Sequence, residues 1–263
     1  MVSLKKSLIR KLTKKELLLV PSSFDTVGDI AIFNDVPKEL KKKEKIIAQE
    51  LLKLHKNIKV VAKKSKRYTG RLRTPKIQII AGGKRKETIH KENGVQLKLD
   101  IEKCYFSART GTERLRIAKL VKKDEVVLVL FSGVAPYPCV IAKNAKPKEI
   151  HAIEISKSCH KYAKENVKLN KLENITLFQG DVKKILPKIN EKFDRIIMPL
   201  PKSADTYIAL AKKKLKPKGT IHLYLFGREE EFSKLKKRFN AKKITKCGHY
   251  APSVHRVCLD IKN

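Results

Sequence analysis

Several features that would narrow the class of protein are scarce in this sequence. It has no tryptophan, only 2 methionines and 6% aromatic residues. No apolar run approaches the roughly 20 residues of a membrane-spanning helix, and charged residues interrupt the N-terminal segment too often for a secretory signal. The lack of a long apolar run and of a secretory signal argues against a membrane protein, and we expect a cytoplasmic one.

Cysteine chemistry is also limited. The sequence has 5 cysteines, at positions 104, 139, 159, 247 and 258, and none of them forms a C-x-x-C pair. Neither a zinc site nor a thioredoxin-type redox motif is therefore indicated. We expect free thiols and no metal.

Acidic residues are few relative to basic ones. The chain has 62 Lys and Arg against 26 Asp and Glu, which gives a formal net charge of +36. This excess is far beyond what solubility requires and favours a polyanionic partner, above all a nucleic acid. A Lys-rich thermophile-type surface is the alternative, but that bias normally raises Glu together with Lys.

The pattern of apolar residues changes along the chain. Before residue 101 it predicts a turn and short strand at 26–33, a helix after Pro37, strands at 58–61 and 77–81 joined by a basic connection at 63–73, and a hairpin at 88–100. From Glu113 helices alternate with apolar strands, which is typical of a mostly parallel sheet covered on both faces. We predict an α/β protein with a small basic α+β domain at 1–100 and a doubly wound domain at 101–263.

The elements of the second domain are predicted individually. The strand candidates are 126–130, 150–153, 175–178, 196–198, 220–226, 244–247 and 257–261, and the clearest helices are 157–169, 204–214 and 229–238.

Three consecutive strand ends carry residues suited to a nucleotide. The first leads into the small-residue turn 131–135, the second ends at Glu154, and the third is followed by Asp181. A carboxylate can accept both hydrogen bonds of a ribose diol, and another can receive an adenine amine. Because nucleotides bind where the carboxyl ends of parallel strands meet, the pattern predicts an adenosine cofactor. The alternative is that Glu154 and Asp181 only cap the following helices, and a glycine would be expected where Ala135 stands.

Longer motifs make the prediction more specific. The motifs are 105–116 (YFSARTGTERLR), the turn after Phe131, Glu154-Ile155, Gly180-Asp181-Val182 and Met198-Pro-Leu-Pro201, with 26–32 and 88–94 upstream. Together they resemble the archaeal and eukaryotic tRNA guanosine-37 N1-methyltransferase family. The resemblance implies a class I methyltransferase fold, S-adenosylmethionine as cofactor, and the anticodon loop of tRNA, at position 37, as partner. The turn further resembles the archaeal branch associated with wyosine biosynthesis, whose members can methylate C7 of 4-demethylwyosine.

The resemblance also implies roles for single residues. Glu113 is the candidate base that removes the proton of guanine N1, and Arg73 approaches the target base. The residues implied to border the cofactor are Arg114, Phe131, Ser132, Gly133, Glu154, Ile155, Asp181, Val182 and Pro199, and those implied to border the purine are Tyr105, Arg109, Arg73 and Tyr137. Alternatively, Glu113 is a helix-terminal carboxylate paired with neighbouring arginines, and Arg73 is one more phosphate contact.

Two departures from the family pattern are informative. Pro199 stands where the family usually has asparagine, so only a backbone carbonyl is available there as a catalytic group. The chain is also too short for the extra N-terminal domain of most members. These departures keep open a non-catalytic RNA-binding protein on a decayed fold, and a related enzyme that transfers an aminocarboxypropyl group is a third candidate. We expect a monomer.

Overall fold

A computed structural model gives the fold of residues 3–69, 74–199 and 205–263. Its helices are α1 (Leu4–Ser7), α2 (Lys14–Leu19), α3 (Glu44–Leu54), α4 (Gly111–Leu120), α5 (Pro136–Asn144), α6 (Lys157–Leu169), α7 (Val182–Ile185), α8 (Asp205–Lys213) and α9 (Phe232–Arg238). Its strands are β1 (Asp25–Val27), β2 (Ile30–Phe33), β3 (Val60–Thr69), β4 (Thr74–Gly82), β5 (Glu87–Glu92), β6 (Val95–Asp100), β7 (Val126–Leu130), β8 (Glu149–Glu154), β9 (Ile175–Gln179), β10 (Phe193–Met198), β11 (Leu215–Gly227), β12 (Ala241–Ala251) and β13 (Val254–Lys262).

The chain folds into two compact units. The first comprises residues 1–91 and 98–108, and the second comprises 92–97 and 109–263. The β5–β6 hairpin contributes residues to both units. A domain boundary at residue 101 stays a prediction.

The first unit is built on a small mixed sheet. Within the described residues its strand order is β1-β2-β3-β4, with β2 and β3 parallel and the other neighbours antiparallel. Helix α3 packs its apolar face, with Ile47, Ala48 and Leu51 fully buried, into a core that also includes Phe33 and Leu40. The spacing of these helix residues by three and four positions explains why one face of α3 is apolar.

One predicted element of this unit is wrong. Residues 63–73 were expected to form a basic connection, but β3 continues to Thr69 and pairs antiparallel with β4. Lysine is depleted in strands on average, and here tertiary pairing overrides that preference. Residues 70–73 lie outside the described part of the chain.

The second unit is built on a seven-stranded sheet within the described residues. Its order is β12-β13-β11-β10-β7-β8-β9. Strands β11, β10, β7, β8 and β9 are parallel, whereas β13 runs antiparallel to β11 and to β12. The chain places β8 and β9 on one side of β7 and then crosses to place β10 on the other side. This reversal creates a topological switch point at the carboxyl end of β7, the place where such sheets bind ligands.

The central strands have the composition that burial on both faces requires. All five residues of β7 (VVLVL) are buried, and β10 buries Ile196, Ile197 and Met198. Strands covered on both faces read as continuous apolar runs rather than alternating ones. None of the helices in the described ranges combines the length and the hydrophobicity that a transmembrane span requires.

Candidate active site

The turn between β7 and α5 has an unusual backbone. Phe131, Gly133 and Ala135 all have positive φ, at 55°, 58° and 64°. The Ser132 N–H donates to the Ile153 carbonyl at 3.0 Å, and the Ala135 N–H donates to the Ser132 carbonyl at 3.0 Å. A left-handed conformation costs a residue with a side chain roughly 1–2 kcal/mol. Ala135 accepts it, so the turn expected to need glycine forms with alanine.

Glu154 ties the end of β8 to this turn. Its Oε2 accepts a hydrogen bond from the Gly133 N–H at 2.7 Å, and its Oε1 accepts one from the Ser156 N–H at 2.7 Å. The side chain is 8% exposed, and burial raises its pKa although the backbone donors act against that shift. Each carboxylate oxygen can accept a further hydrogen bond, so the group can bind hydroxyl donors while it holds the turn.

Asp181 follows β9 at the same edge of the sheet. The Gly180 N–H donates to the Glu154 backbone carbonyl at 2.8 Å, which places the ends of β8 and β9 side by side. The Asp181 side chain accepts from the Lys183 N–H at 2.9 Å and caps α7, which begins at the buried Val182. Ile155 is half-buried, and its carbonyl accepts a hydrogen bond from Gln179. The capping alternative therefore describes a real contact of Asp181, and a carboxylate that caps a helix can accept more than one hydrogen bond.

Two further groups lie in the turn region. The Phe131 ring meets the Tyr207 ring of α8 edge-on, with centroids 5.0 Å apart, and the Lys183 Nζ lies 5.5 Å above Tyr207. The Ser132 hydroxyl is buried and has no hydrogen-bond partner within the described residues. A buried polar group of this kind calls for an explanation such as a ligand or water.

Glu113 lies in the first turn of α4 and is 5% exposed. Its carboxylate receives two hydrogen bonds from the Arg116 guanidinium, both at 2.7 Å, and a short one from the Tyr224 hydroxyl. The structure thus shows the arginine pairing that was the alternative to a catalytic role. It also shows a phenol donor from β11 that the sequence did not indicate.

Tyr224 is the centre of a buried group of side chains. Its ring centroid lies 6.0 Å from that of Tyr137, and the Arg256 guanidinium lies 4.9 Å from its ring centroid. Burial raises the pKa of both phenols. The Arg256 Nη2 also donates to the Pro199 carbonyl at 3.0 Å. Glu113, Tyr137 and Pro199, which were predicted separately, are thereby brought into one region.

Other predicted site residues lie elsewhere, or their side chains already form contacts within the protein. The Arg114 guanidinium forms a buried ion pair with Glu92 and also donates to Thr110. Tyr105 belongs to the first unit and is 40% exposed, Arg109 lies in a short 3₁₀ turn of the second unit, and Arg73 lies outside the described residues.

Several basic side chains of the first unit are paired within the protein. Lys63 forms an ion pair with Glu44, Arg85 with Asp29, and Lys86 with Glu102. These pairs reduce the number of basic groups that are available to a polyanion in the first unit.

A buried polar cluster lies further along β11 and β13. His222 Nδ1 lies 2.8 Å from Asp260 Oδ1, and Cys258 Sγ lies 3.6 Å from the same oxygen. Although His, Cys and Asp can bind metals, the Arg195 guanidinium lies 2.6 Å from His222 Nε2. Hydrogen bonding with this arginine accounts for the geometry, and the positive charge opposes a cation.

The switch-point sheet, the strained turn and the two strand-end acids, together with the match to solved Trm5 structures, identify a class I, Rossmann-like methyltransferase, the class that the resemblance implied. Residues 88–249 match the family model described as the TRM5/TYW2 methyltransferase domain, and residues 4–85 match the TYW2 N-terminal domain. The chain belongs to the TRM5/TYW2 methyltransferase family.

Named relatives agree with this assignment. The tRNA (guanine(37)-N(1))-methyltransferase Trm5b of Pyrococcus abyssi is 38% identical over 92% of this chain and 75% of its own length. The bifunctional tRNA (guanine(37)-N(1))/4-demethylwyosine(37)-methyltransferase Taw22 of Nanoarchaeum equitans is 33% identical over 87% and 92%. A tRNA(Phe) (4-demethylwyosine(37)-C(7)) aminocarboxypropyltransferase of Methanocaldococcus jannaschii is 32% identical over 91% and 97%.

Solved structures match in fold over nearly the whole chain. The complex of aTrm5 with tRNALeu superposes with a TM-score of 0.85 at 32% identity and covers 99% of this chain and 78% of that one. Methanocaldococcus jannaschii Trm5 in complex with adenosine superposes with a TM-score of 0.81 at 34% identity and covers 98% and 77%.

Proposed function

We propose that the protein transfers a methyl group from S-adenosylmethionine to the purine at position 37 of tRNA, at N1 of guanosine and at C7 of 4-demethylwyosine. The observation that carries this proposal is the junction of the β7 turn with Glu154, beside Asp181, at the switch point of the sheet. Relatives named as guanine-37 N1-methyltransferases and a bifunctional relative support both positions.

The residues at the strand ends suit the cofactor. Two oxygens of Glu154 are fixed by backbone donors and can still accept the hydroxyls of a ribose. Asp181 at the next strand end can accept an amine, and the buried Ser132 hydroxyl lies in the turn without a partner among the described residues. A related Trm5 has been solved with adenosine. The cofactor supplies the electrophilic methyl group, and these side chains bind and orient it.

The substrate side of the site is assigned to Glu113 and its neighbours. Guanine N1 carries a proton that must leave when the methyl group arrives, and a positioned base contributes typically 10²–10⁴ in rate. Arg116 and Tyr224 donate to the carboxylate of Glu113 and hold it in one orientation, and a carboxylate positioned beside N1 can accept that proton. C7 of the tricyclic purine needs no proton removed before attack, which suits a site with Pro199 in place of asparagine.

The partner is inferred to be the anticodon loop of tRNA. The formal charge of +36 suits a polyanion, and the related aTrm5 has been solved with tRNALeu. The target base must leave its stack to reach the carboxyl edge of the sheet, as bases do in enzymes that modify them. We infer that a monomer acts on the tRNA.

Nucleoside mass analysis tests the proposal. The protein is incubated with S-adenosylmethionine and either unmodified tRNA with guanosine at 37 or tRNA that carries 4-demethylwyosine. We expect one added methyl group in each nucleoside. Absence of product from the tricyclic substrate would remove the C7 activity, and absence of both, with no rise in melting temperature on cofactor addition, would favour a non-catalytic RNA-binding protein.

Aminocarboxypropyl transfer is a second candidate. The match of residues 4–85 to the TYW2 N-terminal domain and the 32% identical aminocarboxypropyltransferase favour it. The same cofactor would then donate its amino-acid chain rather than its methyl group. The mass of the product nucleoside separates the two reactions directly.

A further inference from the structure

The two substrate-side positions, Glu113 and Pro199, are joined by side chains from neighbouring strands. Glu113 lies on α4, and Pro199 follows β10. Tyr224 of β11 hydrogen-bonds to Glu113, and Arg256 of β13 hydrogen-bonds to the Pro199 carbonyl. The Arg256 guanidinium lies 4.9 Å from the centroid of the Tyr224 ring.

Strand pairing explains why these two side chains meet. In the antiparallel ladder between β11 and β13, Tyr224 is opposite Cys258, and Phe226 is opposite Arg256. Opposite residues project from the same face of a sheet, and side chains repeat on that face every second position. Tyr224 and Arg256 are therefore diagonal neighbours on one face, within reach of each other. Shifting the register by one residue would separate them.

Tyr224 fixes the orientation of the Glu113 carboxylate. The phenol is fully buried, and a buried tyrosine hydroxyl normally has a partner. It donates to Oε1, while Arg116 donates to both oxygens. Arg116 lies on the same helix as Glu113, whereas Tyr224 lies on the sheet. The hydrogen bond from Tyr224 therefore fixes the position of the carboxylate relative to the sheet.

Arg256 fixes the backbone where β10 ends. Pro199 has no polar side chain and no N–H, so its carbonyl is its only hydrogen-bonding group. Arg256 binds that carbonyl and at the same time covers the Tyr224 ring, a cation–π arrangement. The guanidinium is planar and carries donors in a fixed fork, which allows it to make both contacts at once.

We propose that Tyr224 and Arg256 are positioning residues that hold Glu113 and the Pro199 backbone in one fixed arrangement for group transfer. This inference rests on the proposed function. Residues of β11 and β13 would then contribute to the reaction, in addition to the strand-end residues Glu154 and Asp181 that are assigned to the cofactor. Because the two residues touch, their effects on the rate should be less than additive when combined.

The test uses Tyr224→Phe, Arg256→Lys, Arg256→Met and the double variant Tyr224→Phe/Arg256→Met. Tyr250→Phe is the matched control, because it removes the hydroxyl of a largely exposed tyrosine on β12 of the same sheet. For each protein, kcat and KM for tRNA in the guanosine-37 reaction, cofactor affinity and melting temperature are measured.

We expect Tyr224→Phe and Arg256→Met to lower kcat by about 10- to 100-fold, since small displacements of a reacting group have effects of this size. Cofactor affinity should stay within about 2-fold of wild type. KM for tRNA should stay near the wild-type value, because neither side chain is assigned a contact with the RNA. Arg256→Lys, which keeps the charge, should recover part of the rate.

Three results would overturn the inference. The first is an unchanged kcat in both single variants. The second is a loss of cofactor affinity, melting temperature and kcat together, with no recovery of the rate in Arg256→Lys, which would indicate a structural role only. The third is an additive double variant. If the wild-type protein itself modifies neither tRNA, the proposed function fails instead, and the two failures are thereby distinguished.

Discussion

The backbone N–H of Gly133 donates a hydrogen bond of 2.7 Å to Oε2 of Glu154. This contact connects the turn after β7 with the end of β8, and the second oxygen of Glu154 is held by Ser156 at 2.7 Å. One carboxylate thus orders two neighbouring strand ends and presents its remaining acceptor positions at their common edge. Ligand binding at this edge and the order of the turn should therefore depend on the same side chain.

Replacement of Glu154 by Gln should weaken S-adenosylmethionine binding. An amide has one acceptor oxygen instead of two, so either a backbone donor or a cofactor hydroxyl loses its charged partner. Hydrogen bonds to charged groups contribute about 1.5–3 kcal/mol, which corresponds to a Kd roughly 10- to 100-fold higher. Isothermal titration of the cofactor measures the effect.

Glu149→Gln provides the control for that experiment. Glu149 begins the same strand, 40% of its side chain is exposed, and it contacts Thr176 and His151 at the opposite end of β8. Its substitution should leave cofactor affinity unchanged. Equal affinities of wild type, Glu154→Gln and Glu149→Gln would contradict a role for Glu154 in binding.

Substitutions of Ala135 test the strain in the turn. The residue is fully buried with φ 64°. Ala135→Gly should change the free energy of unfolding by less than about 1 kcal/mol, because relief of the left-handed strain offsets the greater freedom of glycine in the unfolded chain. Ala135→Val, β-branched at the same φ, should destabilise the protein by several kcal/mol. Urea denaturation measures both, and a Val variant as stable as the Gly variant would show that the turn adopts another conformation.

Much of the second unit could be predicted because each element carries a strong local signal. The helix at 157–169 was predicted with the observed bounds, since Ser156 caps its first turn and its apolar residues repeat at helical spacing. The apolar run of β7 likewise fixes both its position and its burial. The long strands were harder: β11 begins at Leu215 and β12 at Ala241, each several residues before the predicted start, because Lys-rich segments pair as strands through tertiary contacts.

The candidate site was predicted only in part. Glu154 and Asp181 follow predicted strands, so their meeting at one edge is a consequence of parallel topology. Arg256 gave no sequence signal, because its partner is a backbone carbonyl 57 positions away. Tyr224 shares a strand face with His222 and Phe226, a pattern visible in the sequence, but its contact with Glu113 depends on how α4 packs on the sheet.

Acid should destabilise the protein through His222. Burial lowers the pKa of this imidazole below its usual value of about 6.5, and the charges of Arg195 and Arg116 act in the same direction, whereas Asp260 opposes them. As the pH falls through that value, the unfolded chain binds a proton that the folded His222 does not, so the free energy of unfolding decreases by up to about 1.4 kcal/mol per pH unit. Above a pH of about 6.5 the imidazole is neutral in both the folded and the unfolded chain, and the contribution of His222 to the free energy of unfolding is fully present.

Denaturation at pH 7.5 and 5.5 measures this dependence. His222→Gln should show a smaller loss on acidification than wild type, while His160, whose pKa burial also lowers, keeps its contribution in both proteins. His249→Gln, which removes an exposed imidazole, is the matched control for the loss of a histidine side chain as such. An identical pH dependence in His222→Gln and wild type would show that another group is responsible.

Binding of tRNA should depend steeply on salt. Each phosphate neutralised by Lys or Arg releases counterions, so a protein that makes six or more such contacts loses about 10³-fold in affinity between roughly 50 and 200 mM salt. Filter binding at several salt concentrations gives the slope. Cofactor binding over the same range serves as the control and should be nearly flat, and a flat tRNA response would indicate that the charge of +36 serves another purpose.

A crystal structure of the protein with S-adenosylmethionine tests the central claim most directly. The account predicts the ribose hydroxyls within hydrogen-bond distance of the Glu154 carboxylate, the adenine amine beside Asp181, and the sulfonium methyl group directed towards the side of the site that carries Glu113 and Pro199. A cofactor bound elsewhere, with Glu154 and Asp181 contacting only the protein backbone and solvent, would contradict it.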